Sequence, residues 1–323
     1  MSEKEPLITH IYTADPSANV FNNTLYIYPS HDIPTDIQDN DNGDQYAMED
    51  YHVFSMSSIP GEVTDHGVVL SNSSVPWASK QLWAPDACSK NGKYYLYFPA
   101  RDHDGIFRIG VAESDKPEGP FTPDESYIPG SYSIDPCSFV DDDGEAYVYF
   151  GGIWGGQLQC WGNQHEVFER EKYSTMEPTT GSALGPRVGK LSEDMHSFSS
   201  PVQEISILDE KTGEKLGADD HDRRFFEASW VHKYKGKYYF SYSTGDTHYL
   251  CYAVGDKPEG PFVYKGRLLE PVVGWTTHHS IVEFQGRWWL FYHDSTLSGG
   301  KNHLRCVKVR EIFYDEDGGM KVE

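Results

Sequence analysis

The chain has 323 residues, of which 27 are basic and 50 acidic, for a formal net charge of −23. That acidity disfavours nucleic acid, anionic membranes and polyanionic substrates, and leaves a neutral small molecule or a neutral polysaccharide fragment as the compatible partner. With 38 % apolar and 14 % aromatic residues, 30 Gly and 19 Pro, the composition excludes global disorder and argues against a helical bundle.

The first twelve residues, MSEKEPLITHIY, carry charges of both signs and no apolar run of signal-peptide length. No stretch approaches the roughly 20 apolar residues of a membrane span. Next comes a pattern that recurs along the chain: a two-residue turn, then a strand packed with aromatic and branched residues. It occurs as Asn22-Asn23 before TLYIY, Asn91-Gly92 before KYYLYF, Asp143-Gly144 before EAYVYF, Lys235-Gly236 before KYYFSY and Gln285-Gly286 before RWWLFY. Asn-Gly and Asp-Gly before such a run signal a hairpin, because the primed turns need positive φ. A second segment, DKPEGPF, stands at Asp115–Phe121 and again, identically, at Asp256–Phe262. The turns are 69, 52, 92 and 50 residues apart, which suits five sheets of about four strands each. The reading is an all-β, single-domain, five-bladed β-propeller over 1–323. A β-sandwich with repeated hairpins is the plainer alternative, and the duplicated DKPEGPF favours true repetition. The 92-residue interval is too long for one blade, so about 161–224, polar and rich in charge runs, is expected to be an insertion over one face. The cysteines (Cys88, Cys137, Cys160, Cys251, Cys306) stand singly with no CxxC pair. They read as reduced thiols in a cytoplasmic protein.

In a propeller the innermost strand of each blade lines the channel, and its end offers side chains to a shared pocket. Seven or eight residues before each turn stand Asp15, Ala84, Asp135, Glu227 and His278. Taken singly each is bland: Asp-Pro usually starts a strand or turn, since the residue before Pro is pushed to extended geometry, and a lone Glu or His is as often a satisfied structural residue. Together they hold one blade position. Three acids converging on a channel repel unless they share protons, bind a cation or do chemistry.

Asp15-Pro16, Ser133-Ile134-Asp135-Pro136, Phe226-Glu227-Ala228-Ser229-Trp230 and Thr277-His278-His279-Ser280-Ile281-Val282, in that order over nearly the whole chain, resemble glycoside hydrolase family 43. The resemblance implies a five-bladed propeller and an inverting glycosidase, chiefly a β-xylosidase, α-L-arabinofuranosidase or arabinanase. By position, Asp15 matches the general base, Glu227 the general acid, and Asp135 the acid that tunes and orients the proton donor. His278 matches the channel histidine that often supports a metal, for which calcium is expected, with one direct nitrogen contact at most and water completing the shell. His279 stands where a small residue is commoner, so a one-residue slip would exchange the two rings. Trp83 is placed to stack on a sugar, with a core role as the alternative. Arg305 resembles the last-blade arginine that binds sugar hydroxyls. His31 and Asp32 are candidates for hydroxyl binding at the pocket floor, and Asp50 and Tyr51 likewise, the bland alternative being polar residues at turn ends. The other repeat aromatics (Tyr94, Tyr95, Tyr147, Tyr238, Tyr239, Trp288, Trp289) read as inter-blade core.

The chain runs about 30 residues past the last repeat strand, too few for the C-terminal β-sandwich of the larger family members. Its own loops, 161–224 among them, or a neighbouring subunit in a homo-oligomer are therefore expected to close the pocket. The expected substrate is a neutral pentose oligosaccharide, attacked from its end by a β-xylosidase, with α-L-arabinofuranosidase activity as the alternative. A fructan-active propeller enzyme would carry a WMNDPN-like motif and an Arg-Asp-Pro, and neither is present. A non-catalytic sugar-binding or interaction propeller would have no need of three channel acids.

Overall fold

The computed structural model describes residues 5–161, 167–170 and 177–323. Five antiparallel sheets follow one another along the chain. The first blade comprises β1 (Tyr12–Phe21), β2 (Thr24–Asp32), β3 (Asp50–Met56) and β4 (Thr64–Ser71). The second has a short β5 (Ala78–Lys80), then β6 (Asp86–Lys90), β7 (Lys93–Asp102), β8 (Phe107–Ser114) and β9 (Thr122–Pro123); β5 and β6 both pair with β7. The third consists of β10 (Cys137–Val140), β11 (Ala146–Phe150), β12 (Arg187–Lys190) and β13 (Gln203–Glu204). The fourth contains β14 (Ile207–Leu208), β15 (Glu227–Tyr234), β16 (Lys237–Ser243), β17 (Leu250–Gly255) and β18 (Phe262–Leu269), with β14 added in parallel to β18. The fifth is β19 (His279–Phe284), β20 (Arg287–Asp294), β21 (Cys306–Tyr314) and β22 (Met320–Val322). The inner strands β1, β6, β10, β15 and β19 each lie against the next, and β19 closes on β1. The protein is a five-bladed β-propeller.

The recurrent sequence pattern has a packing cause. The second strand of a blade is covered on both faces by neighbouring blades, so β11, β16 and β20 are buried almost end to end. A doubly covered strand reads as a continuous apolar run instead of an alternation. Of the repeat aromatics, Tyr95, Tyr147, Tyr238, Tyr239 and Trp289 are buried between sheets, and Tyr94 and Trp288 pack against the same clusters. The turns Asn22-Asn23, Asn91-Gly92, Lys235-Gly236 and Gln285-Gly286 have positive φ at both residues, as a primed turn requires. Asp143-Gly144 departs from this: only Gly144 is left-handed. A wider turn forms instead, closed by Gly144 N–H to the Asp141 carbonyl at 2.9 Å and Asp141 N–H to the Glu145 carbonyl at 2.8 Å. The two DKPEGPF segments make the same turn twice, leading from β8 to β9 and from β17 to β18.

The stretch 161–224 is less of an insertion than expected. It supplies β12 and β13 to the third blade and β14 to the fourth, and none of its described residues lines the pocket. Residues 162–166 and 171–176 of that stretch lie outside the described residues. All five cysteines are buried and form no disulfide.

Candidate active site

A pocket of about 190 Å³ opens where the inner strands begin, and Asp15, Ala84, Asp135, Glu227 and His278 all line it, with Trp83 and Arg305. Local backbone geometry aims the acids. Pairing of β1 with β2 slips between Ala14 and Ser17, and pairing of β15 with β16 slips between Glu227 and Trp230. Such bulges re-aim a side chain at the cost of a ladder hydrogen bond. Asp15 and Asp135 have φ of 47° and 57°, and Ala228 has 64°. A residue before proline is ordinarily extended, so these Asp-Pro steps carry strain of the kind that clusters at working sites.

Asp15 takes two donors and lies beside two imidazoles. Ser30 Oγ donates to Oδ2 at 2.7 Å, Arg305 Nη1 donates to Oδ1 at 3.0 Å, and His293 Nδ1 and His278 Nδ1 stand 3.3 and 3.6 Å from Oδ1. Burial alone would raise this carboxyl, but the Arg305 charge outweighs it and holds Asp15 well below the usual carboxylate range. Its own amide donates to His293 Nδ1 at 2.9 Å, while His293 Nε2 faces the Thr276 carbonyl at 3.1 Å. One tautomer, protonated on Nε2, satisfies both contacts.

The other two acids are set the opposite way. Burial, then the charge of Asp15, pushes the Glu227 carboxyl up to about 8. Burial, then Glu227 and Asp15, raises Asp135 as well. Asp135 Oδ2 accepts the Ala228 N–H at 2.8 Å, which pins the backbone beside Glu227. A buried pair of this kind titrates as a unit and holds a proton near neutrality. The pocket thus presents an ionised carboxylate from the first blade and a protonated carboxyl from the fourth, the two groups that acid–base cleavage of a glycosidic bond needs.

A family model described as glycosyl hydrolases family 43 matches residues 5–320. The chain belongs to glycoside hydrolase family 43. It is 70 % identical over 322 residues to xylosidase/arabinosidase 43A of Humicola insolens, covering 98 % of each chain. A β-xylosidase of Xylanibacter ruminicola is 53 % identical over 96 % of each chain. Among solved structures, a family 43 β-xylosidase/α-arabinofuranosidase from a compost microbial metagenome is 61 % identical with a TM-score of 0.94, covering 99 % of this chain and 96 % of that one. It was solved with xylotriose in a calcium-free form.

Within this family 43 enzyme, His278 faces the pocket and His279 does not. His279 is fully buried with Nε2 at 2.6 Å from Ser241 Oγ. His278 makes no hydrogen bond to a described residue, and burial brings its imidazole down to about 4, so the ring is neutral at pH 7. A neutral, unpartnered imidazole beside carboxylates fits a hard cation carried mostly by water, since calcium prefers oxygen ligands.

Two expected substrate contacts are displaced. Asp32 is buried away from the pocket and accepts Arg305 Nε and Nη2 at 2.8 and 2.7 Å, a bidentate clamp that leaves it no hydroxyl to bind. His31 also lies outside the pocket lining, with Nδ1 2.7 Å from Asp50 Oδ1. Tyr51 is buried and donates its hydroxyl to the Trp83 carbonyl at 2.5 Å. Trp83 itself lines the pocket while its ring leans on Phe107 at 4.6 Å and its Nε1 donates to the Tyr46 carbonyl at 2.9 Å, so the stacking and core readings both hold.

Sequence reasoning missed the rim. Residues 39–48 of the β2–β3 loop bring Asp39, Asp41, Tyr46 and Met48 to the pocket. Gly43, at φ 73°, lies so close to Trp83 that an added Cβ would stand 2.5 Å from the ring. Across from it, Trp154, Phe226 and Trp275 form an aromatic wall with ring centroids 5.2–5.9 Å apart. Trp154 Nε1 donates to Glu177, whose other oxygen accepts buried Arg224 Nη2 at 2.9 Å. The run Gly151-Gly152-Ile153-Trp154-Gly155-Gly156, directly after a repeat strand, was the available signal.

Proposed function

We propose that this enzyme is an inverting exo-β-xylosidase that releases xylose from short, neutral xylo-oligosaccharides, with α-L-arabinofuranosidase activity on the same machinery. The observation that carries the reading is the opposed protonation of Asp15 and Glu227 across one walled pocket. Glu227 gives its proton to the departing glycosidic oxygen as the C1–O bond breaks. Asp15 accepts a proton from the water that attacks C1 from the opposite face, and Asp135 holds the acid in place. Arg305, fixed by Asp32, and Trp83 are assigned to the sugar. A pocket, unlike an open groove, suits a chain end. The double activity follows the names borne by close relatives such as the Humicola insolens protein. We place the enzyme in the cytoplasm, where single buried thiols persist.

Proton NMR of β-xyloside hydrolysis at early times tests the mechanism: α-xylose is expected first, and initial β-xylose would overturn it. Glu227→Ala is expected to lose about 10²–10⁴-fold on xylobiose and much less on an aryl xyloside with a good leaving group. Asp15→Ala should be severe on both. A calcium ion at His278, held otherwise through water, would supply positive charge to the acids. Chelation and dialysis should then lower activity and calcium should restore it; full activity in protein shown metal-free by elemental analysis would remove the ion from the scheme.

A further inference from the structure

His31, Asp50 and His52 were not absorbed by the pocket, yet one donor atom from each lies within 4.8 Å of the others. His31 is on β2, and Asp50 and His52 are on β3. We propose that these three side chains form a second metal site, for zinc or a similar borderline divalent ion, at the stem of the loop that forms the pocket rim.

The ring centroids of His31 and His52 are 5.1 Å apart. Two imidazoles on one tetrahedral zinc, each bonded at about 2.0 Å, place their ring centres about 5.2 Å apart. The pair is therefore spaced as ligands of a single ion. Ligand atoms on such an ion stand about 3.3 Å apart, so Asp50 Oδ1 and His31 Nδ1, now at 2.7 Å, need part by only a fraction of an ångström. The supporting shell is also present. Asp65 lies 3.0 Å from His52 Nδ1 and is itself held by His10 Nε2 at 2.8 Å, leaving His52 Nε2 for the ion. A carboxylate behind a ligating histidine fixes the ring and its tautomer. All three side chains are 15–25 % exposed, buried enough for order and open enough for entry and for a water as fourth ligand. One other group of similar composition, Glu177, His221 and Asp246, provides a contrast. There Arg224 Nη2 already stands 2.9, 3.1 and 3.1 Å from the three side chains, so a cation occupies it. At His31 no Lys or Arg does so among the described residues.

The position gives the ion a task. Residues 31 and 50 bracket the loop carrying Asp39, Gly43 and Tyr46, and His31 adjoins Asp32, the clamp on Arg305. A metal clip at a loop stem removes freedom from the open chain.

The test uses the full chain, stripped with chelator, dialysed and titrated with zinc chloride. Wild type and His278→Ala should each bind one zinc per chain at this site by calorimetry and elemental analysis, with the melting temperature rising about 2–8 °C at saturation. His31→Ala and His52→Gln, two variants so that either alone suffices if one fails to fold, should lose that zinc and the shift. Wild type without stoichiometric zinc, or zinc binding unchanged in both variants, would overturn the proposal.

Discussion

A carboxyl serves as proton donor only while it keeps its proton, and Glu227 keeps its own because burial and the charge of Asp15 work together on it. Asp15 is the more deeply buried of the two but faces a guanidinium, so desolvation is overruled there. One arginine thereby separates two acids into two roles. The sign of each shift sets a limb of the pH profile. Glu227 is raised, so activity on xylobiose should be full below about pH 8 and fall about tenfold per pH unit above it. Asp15 is depressed, so the acid limb should lie below the ordinary carboxylate range. Glu227→Gln should abolish the alkaline limb along with most of the activity on xylobiose. A wild-type kcat/KM profile already falling at pH 5–6 would contradict the assignment of the donor.

At the scale of the element, the bulged start of an inner strand is the device that turns acids inward, and it is repeated: the kink at Asp15 in β1 and that at Glu227–Ala228 in β15 have the same form. Repetition is why Asp15, Asp135, Glu227 and His278 were legible in the sequence, since each stands seven or eight residues before a recognisable turn. The rim had no such register. Tyr46, Trp154 and Trp275 sit in loops of unequal length, and only tertiary packing decides that they meet. His31 and Asp32 misled for a related reason: they end a strand near the pocket, but β2 points them outward to Asp50 and sideways to Arg305. The aromatic wall depends on a contact far along the chain, because Glu177 holds the indole of Trp154, a residue at φ 57°. Glu177→Leu leaves the indole N–H and part of the Arg224 charge without an acceptor, at a cost of about 1–3 kcal/mol. Kinetics on xylobiose should show KM rising several-fold while kcat changes less, since the wall lines the pocket and, among the described residues, hydrogen-bonds to neither catalytic carboxyl. Equal losses in kcat and kcat/KM with unchanged KM would assign Trp154 to the transition state alone.

For the molecule as a whole, five sheets must be held in one ring, and apolar packing between blades leaves the narrow axis to be joined by polar groups. Asp86, at the start of β6, is almost fully buried and not part of the pocket lining. It accepts Ser17 Oγ and Asn19 Nδ2 from the first blade, and both the amide and the hydroxyl of Ser138 from the third, the latter at 2.5 and 2.8 Å. The next joints follow the same axis. Val231 N–H meets Cys137 Sγ at 3.3 Å, Ser241 meets His279, and Ser280 Oγ accepts the Ala18 amide at 3.0 Å, which brings the ring back to the first blade. The sequence placed Asp86 one residue after the Ala84-Pro85 step and gave no sign of this work, because a staple between blades has no local signature. Burial pushes its carboxyl up even against these four donors. Asp86→Ala removes the acceptor of the Ser138 amide and of three side-chain donors, those of Ser17, Asn19 and Ser138, each orphan costing about 1–3 kcal/mol. The expected result is a denaturation midpoint lowered by several kcal/mol of stability, with Asp86→Asn intermediate. Because the pocket acids do not touch Asp86, the folded fraction of either variant should keep its wild-type pH profile. A variant as stable as wild type would show that inter-blade packing alone closes the ring.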